Sequence, residues 1–357
     1  MKLISSRGIM CDPNHTDPLS ILSLMYTNGI LRDRFNLLNH YSPYNFVDTI
    51  DDVPKRFDND VAISDIIDTV CGDIISKYEK IGLSWSGGVD STTILCALLN
   101  SLEDKSRLNV YCTKQSINEY PLMFNHLTNC NVSVNVVNNI REKMGYDDLD
   151  CILGGWCADQ MFGSDILKRD EKVYNLGYMD GILKTLYDRF SIVLPRRTKE
   201  QIEESVSKYS KFLNIDVREF CEFAWMFNFG VKYTFIRDIE KMHFCKTKNA
   251  NKLVSFYDNI DFQRWSITHF DELRTKNRYT SKHNSAYKYP LKKYIFDYNG
   301  DSDYLLNKNK TNSWIKTSDY SIDDIRVNTD HGLFVLPKYM EEDIKVRLLK
   351  SYDYKED

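Results

Sequence analysis

After Trp85 the chain reads Ser86-Gly87-Gly88-Val89-Asp90-Ser91-Thr92, two glycines followed by an acid and two hydroxyls. Apolar Ile81 and Leu83 precede it and an apolar run to Leu99 comes after it, the pattern of strand, glycine turn and helix N-terminus. The first N–H groups of a helix have no partners within it, so such a turn is a ready anion site. Gly87 and Gly88 permit backbone angles and close approach that a side chain would block. Ser86, Ser91 and Thr92 add hydroxyl donors. Asp90 beside an anion makes sense when a divalent cation lies between them. No Lys follows the glycines, so this is not the lysine-bearing phosphate loop. A second glycine-flanked acid lies in Gly154-Gly155-Trp156-Cys157-Ala158-Asp159-Gln160-Met161-Phe162-Gly163. Alone, Asp159 reads as a helix cap. Paired with Asp90 it becomes a candidate Mg²⁺ ligand, because Mg²⁺ takes one or two carboxylates plus phosphate oxygens and water.

The flanking elements must place both loops on one rim. Ile63, Ile66, Ile67, Val70, Ile74 and Ile75 have helical spacing and predict a helix over 62–78, ahead of the strand that enters the first loop. A helix follows at about 91–102, then strands at 108–113, 132–137 and 150–153, with a helix to about 128 that has Pro121 near its first turn. Strands separated by helices imply a doubly wound parallel α/β sheet, whose ligands bind beyond the carboxyl ends of the strands. The α/β core spans about 59–165, after a lead-in (1–58) with a turn at Asn28-Gly29 and a strand at 45–50. Beyond Phe162 the sets Leu183, Leu186, Phe190 and Ile202, Val206, Tyr209, Phe212 are helical in spacing, as are Phe220, Phe223, Ala224, Phe227. These predict a helical lobe over about 166–330, its aromatics serving as core. The tail (331–357) holds a short apolar run, Leu333 to Leu336, and ends polar.

Composition narrows the function classes. The 357 residues are 42% hydrophobic, enough for a core, and carry a formal net charge of −4. That balance argues against a broad electrostatic grip on nucleic acid. Only 8 Pro and 15 Gly occur, so long flexible linkers are not expected. The 9 cysteines include no C-x-x-C pair, which argues against a zinc knuckle. An odd cysteine count with no signal-peptide pattern fits a reducing, cytoplasmic setting. The apolar stretch 220–236 contains Glu222, Asn228 and Lys232 and reads as a buried helix, not a membrane span.

The first stretch resembles the S-G-G-x-D-S loop of the ATP pyrophosphatases, which release pyrophosphate while activating a substrate as its adenylate. The second resembles the S-G-E-G-A-D-E-x-F-G loop of the asparagine-synthetase family, with Gly155, Ala158, Asp159, Phe162 and Gly163 matching. Val254-Ser255-Phe256-Tyr257-Asp258, with Phe262 and Trp265, is similar to that family's V-P-F-L-D segment. Lys288-Tyr289-Pro290-Leu291-Lys292 is similar to its K-x-x-L-R segment, and Asn307-Lys308-Asn309-Lys310 to its R-x-K. Asn28-Gly29 resembles the link from the family's glutaminase half. The resemblance spans about 20–320; its specific part is the two glycine loops, and the later matches gain weight from their order.

The resemblance implies a doubly wound parallel sheet of ATP pyrophosphatase type with a helical C-terminal lobe. It implies an ATP-dependent ligase that adenylates a carboxylate and passes the acyl group to ammonia or an amine. Nucleotide contacts fall on Ser84, Ser86, Gly87, Gly88, Val89 and Asp90, and on Ser91, Thr92, Cys112 and Gly155. Asp90 and Asp159 hold Mg²⁺. Lys288 and Lys310 are the implied catalytic lysines, with Lys308 as a substitute contact for pyrophosphate. Adenine lies along the second strand near Tyr111-Cys112-Thr113, while Trp156 and Glu119 face the acceptor. Two departures stand out. Position 2 is Lys, not the Cys nucleophile of a glutaminase half, so the expected amine is free ammonia, a substrate amine or ammonia from a partner. Trp156 replaces the family's acceptor-site Glu, as the β-lactam synthetase branch replaces it with an aromatic, and Gln160 replaces the last acid. Two competing readings are an S-G-G-x-D-S enzyme acting on a nucleotide or nucleic-acid base and a nucleotide-binding protein without chemistry.

Overall fold

The structure is a computed structural model that describes residues 9–11, 34, 56–58, 60–137, 148–163, 173–190, 193–194, 196–233, 236–237, 250–271, 288–308, 325–329 and 332–336. Its strands make two sheets. β1 (Ile9–Cys11) pairs antiparallel with β8 (Gly332–Leu336), which pairs antiparallel with β7 (Ile325–Thr329). The larger sheet is all parallel and holds β2 (Ile81–Ser84), β3 (Leu108–Cys112), β4 (Ser133–Val136), β5 (Cys151–Gly154) and β6 (Leu253–Ser255). Its strand order is β4-β3-β2-β5-β6, with β2 central. Ser84 lies opposite Tyr111, Leu83 opposite Leu153, and Gly154 opposite Ser255. The segments that follow β2, β5 and β6 therefore leave from one rim.

The α/β class and the parallel sheet agree with the sequence. So do the helices Ile63–Lys77 and Val89–Ser101. Ile63, Ile66, Ile67, Val70, Cys71 and Ile74 form the buried face of the first, with Asp65 in its first turn and Lys77 in its last, each matched to the helix dipole. The second is buried without a break from Ser91 to Leu99, as befits a central helix. It packs against Ile63–Lys77 and against the helix Tyr289–Asn299. The expected helix ending near 128 is there as Pro121–Thr128, and a helix not expected, Lys114–Glu119, precedes it. Tyr120 between them sits at φ −145°, ψ 75°, because the residue before a proline is pushed out of the helical region. β6 is a strand in a region expected to be helical. Three residues show no alternation, and its place comes from pairing with β5.

The chain divides into two compact units. One contains residues 53–165 and 236–314, so the sheet β2–β6 and the helices Ile260–Thr268, Tyr289–Asn299 and Ser302–Asn307 share it. The other contains 1–52, 166–235 and 315–357. Its helices are Tyr178–Phe190, Arg196–Leu213 and Phe220–Phe227, the last running on through a π-helical turn, Asn228–Lys232. Phe220, Phe223, Trp225, Phe227 and Phe229 are buried there, and Trp225 stacks on Phe229 with ring centres 4.8 Å apart. Tyr209 and the stripe Phe220, Phe223, Phe227 are core, as expected, whereas Phe212 is exposed. Among the described residues no helix is long and apolar enough to cross a membrane. Asn28-Gly29 and the 45–50 strand lie outside the described residues.

Candidate functional site

The first loop is held by its own hydroxyls. The Ser86 N–H donates to Ser91 Oγ at 3.0 Å, and the two serine hydroxyls lie 3.0 Å apart. The Gly88 N–H points at Ser86 Oγ, 3.3 Å away. Gly87 is left-handed at φ 77°, and a Cβ there would stand 2.4 Å from the Ser116 carbonyl oxygen and 2.9 Å from Glu119 Cβ. Only glycine meets both demands. Gly88 caps the helix that starts at Val89, which puts Asp90 in the first turn. Thr92 is turned the other way: it is fully buried and its hydroxyl accepts from the Trp85 indole N–H at 3.0 Å.

The second loop leaves β5 through Cys157, a non-glycine residue in the left-handed region at φ 75°. That turn starts the helix Ala158–Phe162 and places Asp159 in its first turn. The loops meet closely. A Cβ on Gly155 would lie 2.9 Å from Asp90 Cβ and 3.2 Å from the Ser91 nitrogen. The end of β6 and the residues just beyond it fix both loops. Tyr257 donates its hydroxyl to the Asp90 carbonyl at 3.0 Å, and Ser255 donates to the Trp156 carbonyl at 2.7 Å. The Phe256 N–H donates to the Gly154 carbonyl at 3.1 Å.

Lys288, one residue ahead of the helix Tyr289–Asn299, joins the two acids. Its ammonium donates to both Asp90 carboxylate oxygens at 2.6 Å and reaches Asp159 Oδ1 at 2.6 Å. The residue is 7% exposed. Burial pushes its pKa down, but Asp159 and then Asp90 outweigh burial, and the ammonium is held above its ordinary range. Two carboxylates gathered by one cation are also a donor set that fits Mg²⁺ sharing phosphate oxygens. Among the described residues no cluster of three or more His, Cys, Asp or Glu could hold a metal by itself.

A second buried pair stands beside the glycines. Lys308 donates to Glu119 Oε1 at 3.0 Å and to the Glu119 carbonyl at 3.1 Å. Burial lowers the Lys308 pKa, and Glu119 only partly offsets it. Glu119 Oε2 is buried with no hydrogen-bond partner. Lys292, one turn beyond Lys288, donates to the Lys308 carbonyl at 2.6 Å. It is 2% exposed, and burial, then Lys308 and Lys288, lowers its pKa to about 8. Tyr304 stacks on Tyr120 with ring centres 4.0 Å apart, its hydroxyl 3.5 Å from the Gly87 carbonyl.

The fold thus gathers Ser86, Gly87, Gly88, Asp90, Ser91, Gly155, Asp159, Glu119, Lys288 and Lys308 in one region, with Ser84 and Val89 bracketing the first loop. Cys112 is buried at the end of β3, its carbonyl accepting from the Val137 N–H at 2.8 Å. Trp156 folds back over the sheet: a Cβ on Gly154 would lie 1.7 Å from its ring, which packs on Tyr111, Leu149, Ile152 and Leu253. Lys310 lies outside the described residues. Sequence reasoning assigns no role to Ser255, Tyr257, Tyr304 or Lys292. Ser255, Tyr257 and Lys292 sit in segments matched above, and the polar side chains of Ser255 and Tyr257 in an apolar stretch were the available signal. The sequence matches no protein-family model and no curated protein.

Proposed function

We propose that this chain is an ATP-dependent amide-forming ligase built on a fold of ATP pyrophosphatase type. The observation that carries the reading is the meeting of two glycine loops from the central strands β2 and β5 at Gly155, with their acids Asp90 and Asp159 joined by Lys288. A helix N-terminus, two carboxylates and a buried lysine suit a polyphosphate with a divalent cation better than any uncharged ligand.

The reaction has two steps. A substrate carboxylate oxygen attacks the α-phosphorus of ATP, and pyrophosphate leaves. Ammonia or an amine then attacks the acyl carbon, AMP leaves, and the nitrogen loses a proton to give the amide. The Ser86–Ser91 loop holds the leaving pyrophosphate through its N–H groups and hydroxyls. Asp90 and Asp159 would hold Mg²⁺, which would neutralise charge on the phosphates. Lys288 stabilises negative charge developing on phosphorus or on the acyl oxygen, work whose loss typically costs ~3 kcal/mol, about a hundredfold in rate. Glu119, paired with Lys308, sets the glycine side of the pocket. Trp156, packed into the sheet, leaves the acceptor site without the family's carboxylate, which weighs against aspartate as the acceptor.

The test is ATP–pyrophosphate exchange across a panel of carboxylates. At least one carboxylate is expected to drive exchange, and Asp90→Asn is expected to abolish it. Exchange driven only by a nucleotide or nucleic acid would replace this reading with base modification. No exchange, together with no melting shift on adding ATP, would leave a protein without this chemistry.

A further inference from the structure

Three acceptor oxygens surround the Lys288 ammonium, two from Asp90 and one from Asp159, all at 2.6 Å. A lysine has three N–H donors, so all of them are engaged. The same oxygens are those that the proposed function assigns to Mg²⁺. A divalent cation and a buried ammonium on one set of oxygens repel strongly, because there is little water to screen them. Building on that reading of the two acids as a cation site, we infer that Lys288 and the divalent cation are alternative occupants of the Asp90–Asp159 seat. The lysine fills it in the resting protein and is displaced when the cation arrives.

The neighbouring charges decide where the displaced lysine can go. Lys288 and Lys308 both lie close enough to Lys292 for their charges to act on it, and Lys292 donates to the Lys308 carbonyl at 2.6 Å one turn beyond Lys288. The Lys292 ammonium opposes any retreat of the Lys288 ammonium along their shared helix. A cation arriving alone must evict Lys288 and leave it without a counter-ion. A cation arriving with a polyphosphate supplies that counter-ion, and the released ammonium moves onto phosphate. Cation and nucleotide therefore load cooperatively, the cation alone evicting Lys288 only at saturating concentration, and loading delivers Lys288 to the reacting group. The tyrosine and glycine contacts around Asp90 keep the seat in place during the exchange, since Tyr257 fixes the Asp90 carbonyl and Gly155 the loop spacing.

The experiment measures Mn²⁺ binding to the full chain by electron paramagnetic resonance, with and without a non-hydrolysable ATP analogue. Lys288→Met is expected to bind Mn²⁺ at least tenfold more tightly than wild type without nucleotide, and the gap is expected to close when the analogue is present. Equal Mn²⁺ affinity of the two proteins without nucleotide overturns the inference. No Mn²⁺ binding by either protein even with the analogue, or binding unchanged in Asp159→Asn, overturns the seat itself and the metal assignment with it. A measurement on wild type guards against misfolding of the variant. Competitive acetylation read by mass spectrometry is expected to show Lys288 becoming more reactive in saturating Mg²⁺ without nucleotide, with Lys308 unchanged. Lys288 reactivity that stays flat across the Mg²⁺ titration also overturns the inference.

Discussion

Lys292 is a buried cation that donates to a backbone carbonyl, not to a carboxylate. Its pKa falls from 10.5 to about 8, so between those values the unfolded chain holds more protons than the folded one, and stability rises with pH. Below pH 8 the full cost stands, on the order of 3 kcal/mol at 1.36 kcal/mol per pKa unit. Lys292→Met removes that cost. Urea melts should show the variant gaining most relative to wild type near neutral pH, with the gain fading toward pH 10.5. The lost bond to Lys308 shifts both ends equally, so parallel pH profiles would show that Lys292 is not a strained cation. Cys157 carries a different strain, a left-handed backbone with a side chain. The resembled family loop has Gly there. Cys157→Val puts a β-branched residue at that φ and should cost roughly 2 kcal/mol, seen as a lower melting temperature, whereas Cys157→Gly should be near neutral. At this scale Asp90, Asp159 and Lys288 were legible, because glycines or a family segment marked each. The burial of Lys292 was not: the same family segment marks it only as standing for an Arg, a lysine in a lysine-rich end looks like surface, and its burial depends on packing the local pattern does not encode.

Among the elements, β6 has influence beyond its length. Ser255 and Tyr257, one at its end and one just beyond, each hold a different loop of the site. Tyr257→Phe leaves the Asp90 carbonyl without that donor and Ser255→Ala does the same to Trp156. Each should lower unfolding free energy by about 1 kcal/mol in denaturant melts. Under the proposed function Tyr257→Phe should also reduce stabilisation by ATP, since it loosens Asp90, the proposed metal ligand; a variant with unchanged ATP-induced melting shift would show that the pin is dispensable. The strands β2 to β5 were readable from apolar runs set off by turns. β6 was not, because three residues carry no period and a sheet edge is defined by its neighbour. The split at Tyr120 was half readable: Pro121 announced a helix start but not the helix before it.

For the whole molecule, the α/β class and a helical region were legible, but not how the chain is shared between compact units. Segments far apart in sequence, 53–165 and 236–314, build one unit, and local patterns carry no record of such sharing. The cysteines show how packing at this scale governs chemistry. Cys71, Cys96, Cys112, Cys151, Cys157 and Cys221 are buried thiols, while Cys130 is half-exposed. Burial raises Cys71 and Cys151 to about 12 and Cys112 to about 11, so few thiolates form near neutrality. Iodoacetamide on the native protein should therefore label Cys130 well ahead of those six, and denaturation should equalise them, as peptide mass spectrometry would show. Early labelling of Cys96, fully buried, would contradict the packing of the central helix.

The order of the chain gives the site a history. Asp90 and Asp159 lie in the first half of the sequence, on loops from β2 and β5, while Ser255, Tyr257, Lys288 and Lys308 come after the entire 166–235 segment. During synthesis both acids are made before the lysine that joins them, and β6 can pair with β5 only after that segment has been made. A chain made only as far as residue 165 would carry both carboxylates without the lysine that joins them.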